Sequence, residues 1–402
     1  MSELILLAHV PTDSVNEGFL PAARALGLSV VLLTDQAEAH RQHFGGDELP
    51  AYPDAVVACD VFNPIAVIEA ITRRGKKPMA IFSNSDHLQT STAIAADYFG
   101  LPGKDWRVAY RAKNKAEMRN ALKSKGIDPL WHAVVWDESG LARLASEAPF
   151  PCVAKPREGV ASLEVGLVRN ASELERHCRT LWKSQPSQAV LLEEYIEGPL
   201  YTLETLGDGQ DLNVLGGFRV ALSLPPHFIE LEACWNESGA IPWLREVCEQ
   251  IRGFGIGFGA CHTEFVATPE GPRLIEINYR CIGDRRDFLL QEILGISLFE
   301  IVLRLHLGEP LPALEPAARI AEIRYFPAGQ EGRLLSAPPG FTQREDGVQI
   351  AFRPLRRTGD TVTLSHSNKD YLGVLSGVGP KGELIRRAMD RAAASLSWEF
   401  QS

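Results

Sequence analysis

His262-Thr263-Glu264-Phe265-Val266-Ala267-Thr268-Pro269-Glu270-Gly271-Pro272-Arg273-Leu274-Ile275-Glu276-Ile277-Asn278-Tyr279-Arg280 alternates polar and apolar residues at both ends. That is the period of a strand with one face on a core, and Pro269-Glu270-Gly271-Pro272 between the two ends supplies turn chemistry. A β-hairpin is expected. Side chains at 276 and 278 share one face, and strand pairing can bring Glu264 beside them. Glu264, Glu276 and Asn278 then offer three oxygen ligands on rigid backbone, a donor set suited to Mg²⁺ rather than to a softer metal. Read alone, the same residues also fit an amphipathic hairpin with acids on its wet side, so the rest of the chain has to decide.

At 402 residues the chain exceeds what one compact core serves, and several domains or subdomains are expected. Its 45% hydrophobic and 23% charged content are those of a soluble globular protein. Lys+Arg number 41 against 51 Asp+Glu, a formal charge of −10, and there is no basic block. Nucleic acid and anionic membrane are therefore not expected partners, and any anionic substrate needs a local positive site. No apolar run reaches membrane-spanning length. Met1 to Leu7 has no basic region and runs straight into a strand-like segment, which argues against a signal peptide and for a cytoplasmic location. The seven cysteines are odd in number and show no CxxC spacing, so reduced thiols are expected. Cys261 and Cys281 flank the hairpin; packing is their expected role, with a catalytic thiol as the other reading.

Residues 1–105 alternate strand and helix signals, with apolar runs at Leu4 to His9, Leu28 to Leu33, Ala55 to Cys59 and Met79 to Phe82. Helices are expected over Phe19 to Leu26, from Asn63-Pro64 to Gly75, and over Leu88 to Phe99. The pattern implies an open parallel sheet of Rossmann-like architecture. The loop Val10-Pro11-Thr12-Asp13 lacks the G-x-G-x-x-G of a dinucleotide site. Beyond it, Asn114-Lys115-Ala116-Glu117 is a capping signature for a helix ending at Gly126. Strands are expected at His132 to Trp136 and Cys152 to Lys155, with a short helix between them. Lys155 closes its strand directly before Pro156-Arg157-Glu158-Gly159-Val160-Ala161-Ser162, a small-residue loop of the kind that folds over phosphates. A surface lysine before a mobile loop is the alternative.

Ala189 to Ile196 reads as a strand running through Glu193 and Tyr195 into the break at Gly198-Pro199. Strand-like sequence follows from Tyr201 to Ile229, then helix from Trp243 to Phe254. After the hairpin comes a helical region over Asp287 to Leu307, broken at Gly295. The last segment reads as α+β, with strands near 320–325, 348–352 and 361–365. Its final helix, about Glu383 to Leu396, places Leu384, Ala388 and Leu396 on one face.

In this order the motifs resemble the ATP-grasp superfamily, most nearly its carboxylate–amine ligases that join amino acids, over essentially the whole chain. The resemblance implies an α/β and α+β multidomain architecture: a Rossmann-like pre-ATP-grasp domain over 1–105, a small lobe over 106–195, a large lobe over 196–310 and a C-terminal α+β subdomain over 311–402. It implies that Lys115 and Lys155 contact ATP phosphates and that Gly159 to Ser162 close on them. Glu193 would accept from the adenine amino group, and Tyr195 and Ile196 would read the ring edge. Glu264, Glu276 and Asn278 match the positions that hold one or two Mg²⁺ ions, with Mn²⁺ as a substitute. Arg280 would face the γ-phosphate, and His262 would orient an acyl phosphate. Two positions depart from the pattern. The usual ribose-binding glutamate is Leu200, with Glu197 or Glu204 as substitutes, and Cys281 to Asp287 replaces a glycine run. There Arg285 or Arg286 would bind an extra carboxylate, or Asp284 would cap a helix.

The implied activity is amide or peptide bond formation through an acyl phosphate, with ATP and Mg²⁺, small carboxylate and amine substrates, and a homodimer as the common assembly. The alternatives are a siderophore or peptide-antibiotic ligase acting on a polycarboxylate, a carboxyphosphate-forming carboxylase, and a non-catalytic nucleotide-binding regulator.

Overall fold

The computed structural model describes residues 3–44, 53–186, 188–236, 240–314 and 319–401. Its first region is a four-stranded parallel sheet in the order Ala55–Ala58, Ser29–Thr34, Glu3–Leu7, Ala80–Phe82. These strands read as unbroken apolar runs because both faces are covered. Leu4, Leu6, Val30 and Leu32 face one core, and Ile5, Leu7, Val31 and Leu33 face another. Asn63 caps Pro64–Thr72 as expected, accepting from the Ile65 N–H at 3.0 Å. The expected Phe19–Leu26 helix is shorter, Leu20–Ala25, and continues a π-helix over Ser14–Phe19.

The small lobe is an antiparallel sheet in the order His132–Val135, Val190–Glu194, Cys152–Pro156, Gly166–Val168. Helices Glu138–Glu147 and Ala171–Ser184 cover it. The second of these is missing from the sequence reading, although Leu174, Cys178 and Leu181 fall at helical spacing and Asn170 caps it at 3.0 Å from the Glu173 N–H.

A small antiparallel sheet of Thr361–Val362, Gly332–Ser336 and Glu399–Phe400 and a nine-stranded antiparallel sheet make up the other strands. The large sheet dominates. Its order is Gly271–Asn278, Phe258–Thr268, Leu200–Asp208, Leu212–Leu222, Glu230–Asn236, Ile320–Pro327, Tyr371–Gly379, Val348–Pro354, Phe341–Glu345. Pairing of Glu232 with Arg324 makes the segments on either side of residue 310 one continuous sheet. Strand Tyr371–Gly379, which the sequence reading omits, sits inside that sheet. At Gly217 an added Cβ would lie 1.9 Å from the Thr202 carbonyl oxygen, so glycine lets these neighbouring strands approach. The final helix, Gly382–Ala394, buries Ile385, Ala388, Met389 and Ala392; the expected Leu384 and Leu396 are only partly buried. Among the described residues no helix is long and apolar enough to cross a membrane.

Helices Trp106–Lys113 and Lys115–Ser124 position the site. Val108, Ala109, Met118 and Leu122 pack with Leu203, Phe265 and Ile277 of the large sheet. Lys115, the first residue of its helix, is thereby brought against the hairpin.

Candidate active site

The hairpin forms as expected, with Glu264 directly opposite Glu276 and His262 opposite Asn278. Pairing then jumps to Phe265 with Leu274, which leaves Ile275 as a bulge. Ile275 and Glu276 consequently both line a cleft of ≈ 1060 Å³, solvent mouth included, together with Glu264, Lys115 and Lys155. Its other walls are the loop from Gly159 to Leu163, the hinge residues Glu193, Tyr195 and Ile196, and Leu222, Phe228 and Glu230.

Two buried lysines enter from the small-lobe side. Lys115 Nζ lies 2.7 Å from Glu276 Oε1 and donates to the Gly159 carbonyl at 2.7 Å, so it ties the hairpin to the loop. Burial opposes its charge, but Glu276 outweighs burial and raises its pKa. Lys155 Nζ lies 2.5 Å from Glu193 Oε2, and burial holds it below the usual lysine range. Glu193 Oε1 accepts from Arg119 Nε at 2.6 Å. Burial pushes the Glu193 carboxyl up, yet Arg119 and Lys155 overcome it and hold it at about 2. Arg119, fully buried, is a site residue that sequence reasoning missed. Its spacing from Lys115, one helical turn along the same face, is the signal that was present.

The loop after Lys155 is docked. Ala161, Ser162 and Glu164 all take left-handed backbone, with φ of 56°, 55° and 58°. Such conformations cost non-glycine residues about 1–2 kcal/mol each and persist where contacts impose them. Here Ser162 Oγ donates to the Phe228 carbonyl at 3.2 Å, and the Asn368 N–H donates to the Ala161 carbonyl at 3.0 Å.

No family model matches the chain. It is 26% identical to the uncharacterized protein y4rH of Sinorhizobium fredii, over 99% of this chain and 83% of that protein. To carnosine synthase 1 of Gallus gallus it is 27% identical over 87% of its own length, but it spans only 39% of that relative. Among solved structures, the L-amino acid ligase from Bacillus licheniformis matches with a TM-score of 0.79 at 20% identity, covering 100% of this chain and 99% of the other. The fold is that of the ATP-grasp ligases. The same ATP-grasp fold recurs in the biotin carboxylase domain of the Hydrogenobacter thermophilus 2-oxoglutarate carboxylase, solved with magnesium, ADP and bicarbonate (TM-score 0.73, 18% identity, 99% and 90% covered).

The ATP-grasp cleft suits a nucleotide and Mg²⁺. Two carboxylates and the amide of Asn278 are hard oxygen donors on one hairpin, a donor set that suits Mg²⁺. The two buried lysines supply the local positive charge that an acidic protein needs for an anionic ligand.

Several of the expected residues lie outside the cleft lining. Arg280 does not continue the strand, which ends at Asn278; it sits in the following turn and donates from Nη1 to the Cys281 carbonyl at 2.8 Å. His262 is buried between two acids, with Nδ1 2.9 Å from Glu204 Oε1 and Nε2 3.2 Å from Glu264 Oε1. Burial works against its protonation, but Glu204 and Glu264 prevail and lift its pKa to about 9. Glu204 is thus turned to His262 and is not among the cleft-lining residues, and neither is Glu197, whereas Leu200 lines the cleft. Arg285 pairs with Asp13 at 3.0 Å and Glu17 at 2.8 Å, and Arg286 with Glu230 at 2.8 Å. Asp284 does not cap the helix Arg286–Leu294, whose N-cap position is Arg285 in left-handed backbone. Burial pushes the thiols of Cys261 and Cys281 up to about 12, which fits packing and not nucleophilic catalysis.

Proposed function

We propose that this chain is an ATP-dependent carboxylate–amine ligase that makes an amide or peptide bond between amino-acid-like substrates through an acyl phosphate. The observation that carries the reading is the meeting of Glu264 and Glu276, in cross-strand register, with Lys115 and Lys155 in one cleft beneath a docked loop. The names of two proteins it resembles, an L-amino acid ligase and a carnosine synthase, support the substrate class.

A carboxylate resists attack by an amine because it is already an anion, and phosphorylation gives it a leaving group. That chemistry asks the protein for positioning and charge neutralisation rather than for a covalent nucleophile. When bound, Mg²⁺ would supply electrostatic stabilisation of the phosphate charge. Glu264, Glu276 and Asn278 would hold it, Lys155 would face the phosphates from its strand end, and Lys115 ties the loop to the hairpin. Tyr195 and Ile196 line the adenine end, and Gly159 to Ser162 shut out water that would hydrolyse the intermediate.

The test is ADP release with pooled amino acids and other carboxylates, with and without amines. Release that requires both a carboxylate and an amine, with an equal yield of amide, is the expected result. Release dependent on bicarbonate alone, or ATP binding with no turnover, overturns the proposal.

A further inference from the structure

The loop over the cleft is held by two arms from distant parts of the chain. One is the turn before strand Glu230–Asn236, where the Phe228 carbonyl accepts from Ser162 Oγ at 3.2 Å and the Pro226 carbonyl from the Leu167 N–H at 3.3 Å. The other precedes strand Tyr371–Gly379, where the Asn368 N–H donates to the Ala161 carbonyl at 3.0 Å. Asn368 and Tyr371 pin the bases of the arms together through the Glu230 backbone, at 3.1 and 2.8 Å. Beyond that base the rings of His227 and His366 stack, with centroids 4.6 Å apart and planes 13° from parallel.

The backbone around this stack is strained. Phe228 and His366 take left-handed conformations with φ of 55° and 52°, as Ala161, Ser162 and Glu164 of the loop do. Non-glycine residues stay in that region only while their contacts hold them, so the junction is sensitive to the loss of one contact.

Two neutral imidazoles can stack, and one imidazolium over a neutral ring is still attracted to it. Two imidazolium rings at this distance repel. His227 is half-buried and His366 exposed. Burial, and then His366, hold His227 below the ordinary histidine value, so the docked state opposes its protonation. Other charged groups near the junction are engaged elsewhere: Glu230 with Arg286, Asp370 with Ser365 and Ser367, Glu158 with Arg157, and Glu164 with Gln185. Lys369 acts on His87, and His177, packed on Gly166, bonds to the Glu164 backbone. Among the described residues the charge that acts on His227 is His366.

We propose that the His227–His366 stack is a pH-sensitive latch for the loop over the cleft, closed while at most one ring carries a proton and opened when both do. Docking is then complete above the ordinary histidine value of about 6.5 and is lost as pH falls below it. The latch concerns the loop itself and stands whichever substrates the protein joins.

The experiment is limited proteolysis of the full chain without nucleotide, at about pH 7.5 and about pH 5.5, one unit either side of that value. Cleavage within residues 157–166 is scored relative to a synthetic peptide of the same sequence at the same pH. In wild type the relative rate is expected to rise about 10-fold at the lower pH. His227→Phe keeps a ring beneath His366 and leaves one titrating group, and its rise is expected to stay within about two-fold. A wild-type loop equally protected at both pH values, or an equal rise in His227→Phe, overturns the inference. Should His227→Phe be open already at the higher pH, His366→Asn carries the same comparison, since asparagine tolerates left-handed backbone. A rise as large as that of wild type again overturns the latch.

Discussion

Lys155 and Glu276 answer for different partners, and their substitutions should read differently. Lys155 is 6% exposed, and among the described residues its ion-pair partner is Glu193. Lys155→Met removes a charge-assisted contact of about 1.5–3 kcal/mol. The expected result is a rise of about 10–100-fold in KM for ATP, read from initial rates at saturating amine. Glu276 pairs with Lys115 and is proposed to hold the metal, so Glu276→Gln would lose an anionic ligand and free the lysine. An activity loss of at least about 100-fold is expected, with the Mg²⁺ titration of activity displaced to higher concentration. If activity falls at an unchanged Mg²⁺ midpoint, the metal role of Glu276 is wrong. The acids and lysines were legible as types because each sits at a strand or helix end with a recognisable neighbourhood. Arg119 and Glu230 were not, since one looks like any surface arginine of a helix and the other like any acid at the edge of a strand.

Among the elements, the loop after Lys155 holds three non-glycine residues in left-handed backbone, so its docked form depends on its contacts. Ser162→Ala deletes the hydrogen bond to the Phe228 carbonyl, worth about 0.5–1.5 kcal/mol. A rise of about 2–10-fold in KM for ATP is expected, with faster proteolysis within residues 157–166; unchanged values of both would mean that the loop is held elsewhere. The loop was legible from its small residues, but its docking was not. The groups that clamp it come from the Phe228 turn and from Asn368, and neither carries a local motif. The helix Ala171–Ser184 is different, since its Asn170 cap and its apolar spacing at Leu174, Cys178 and Leu181 are local signals that the sequence carries.

For the whole molecule, the first region shares an apolar core with the rest, Phe19 packing on Phe299, and ion pairs add to that junction. Arg285 pairs with Asp13 and Glu17, and Arg353 of the large sheet pairs with the same two acids. Beside them Ser14 of the first domain donates to Asp287, which is fully buried at the start of the helix Arg286–Leu294. Burial pushes the Asp287 carboxyl up to about 6, against the hydrogen bond from Ser14. A folded-state pKa above the unfolded value means that the protonated acid favours the fold, an advantage complete below about 4 and lost as pH rises through about 6. Asp287→Asn mimics the protonated form. It should therefore raise the thermal midpoint at pH 8, by an amount equivalent to at most about 3 kcal/mol, and leave it unchanged near pH 4. An equal effect at both pH values would show that Asp287 does not titrate in this window.

The parallel first sheet, the hairpin and the chemistry of its oxygen donors were determined by sequence alone, because period, turn residues and donor type are properties of neighbours along the chain. The tertiary structure decided which acid meets which cation. Glu193 lies 74 positions from Arg119 and Glu230 lies 138 from Asn368, so no local pattern couples them. It also decided that strand Tyr371–Gly379 completes a sheet begun at residue 200, since a strand's neighbours are set by burial of its faces rather than by its own composition. Arg280 shows the boundary between the two: its place two residues beyond Asn278 promised a strand position, and the turn that begins at Tyr279 moved it off the hairpin.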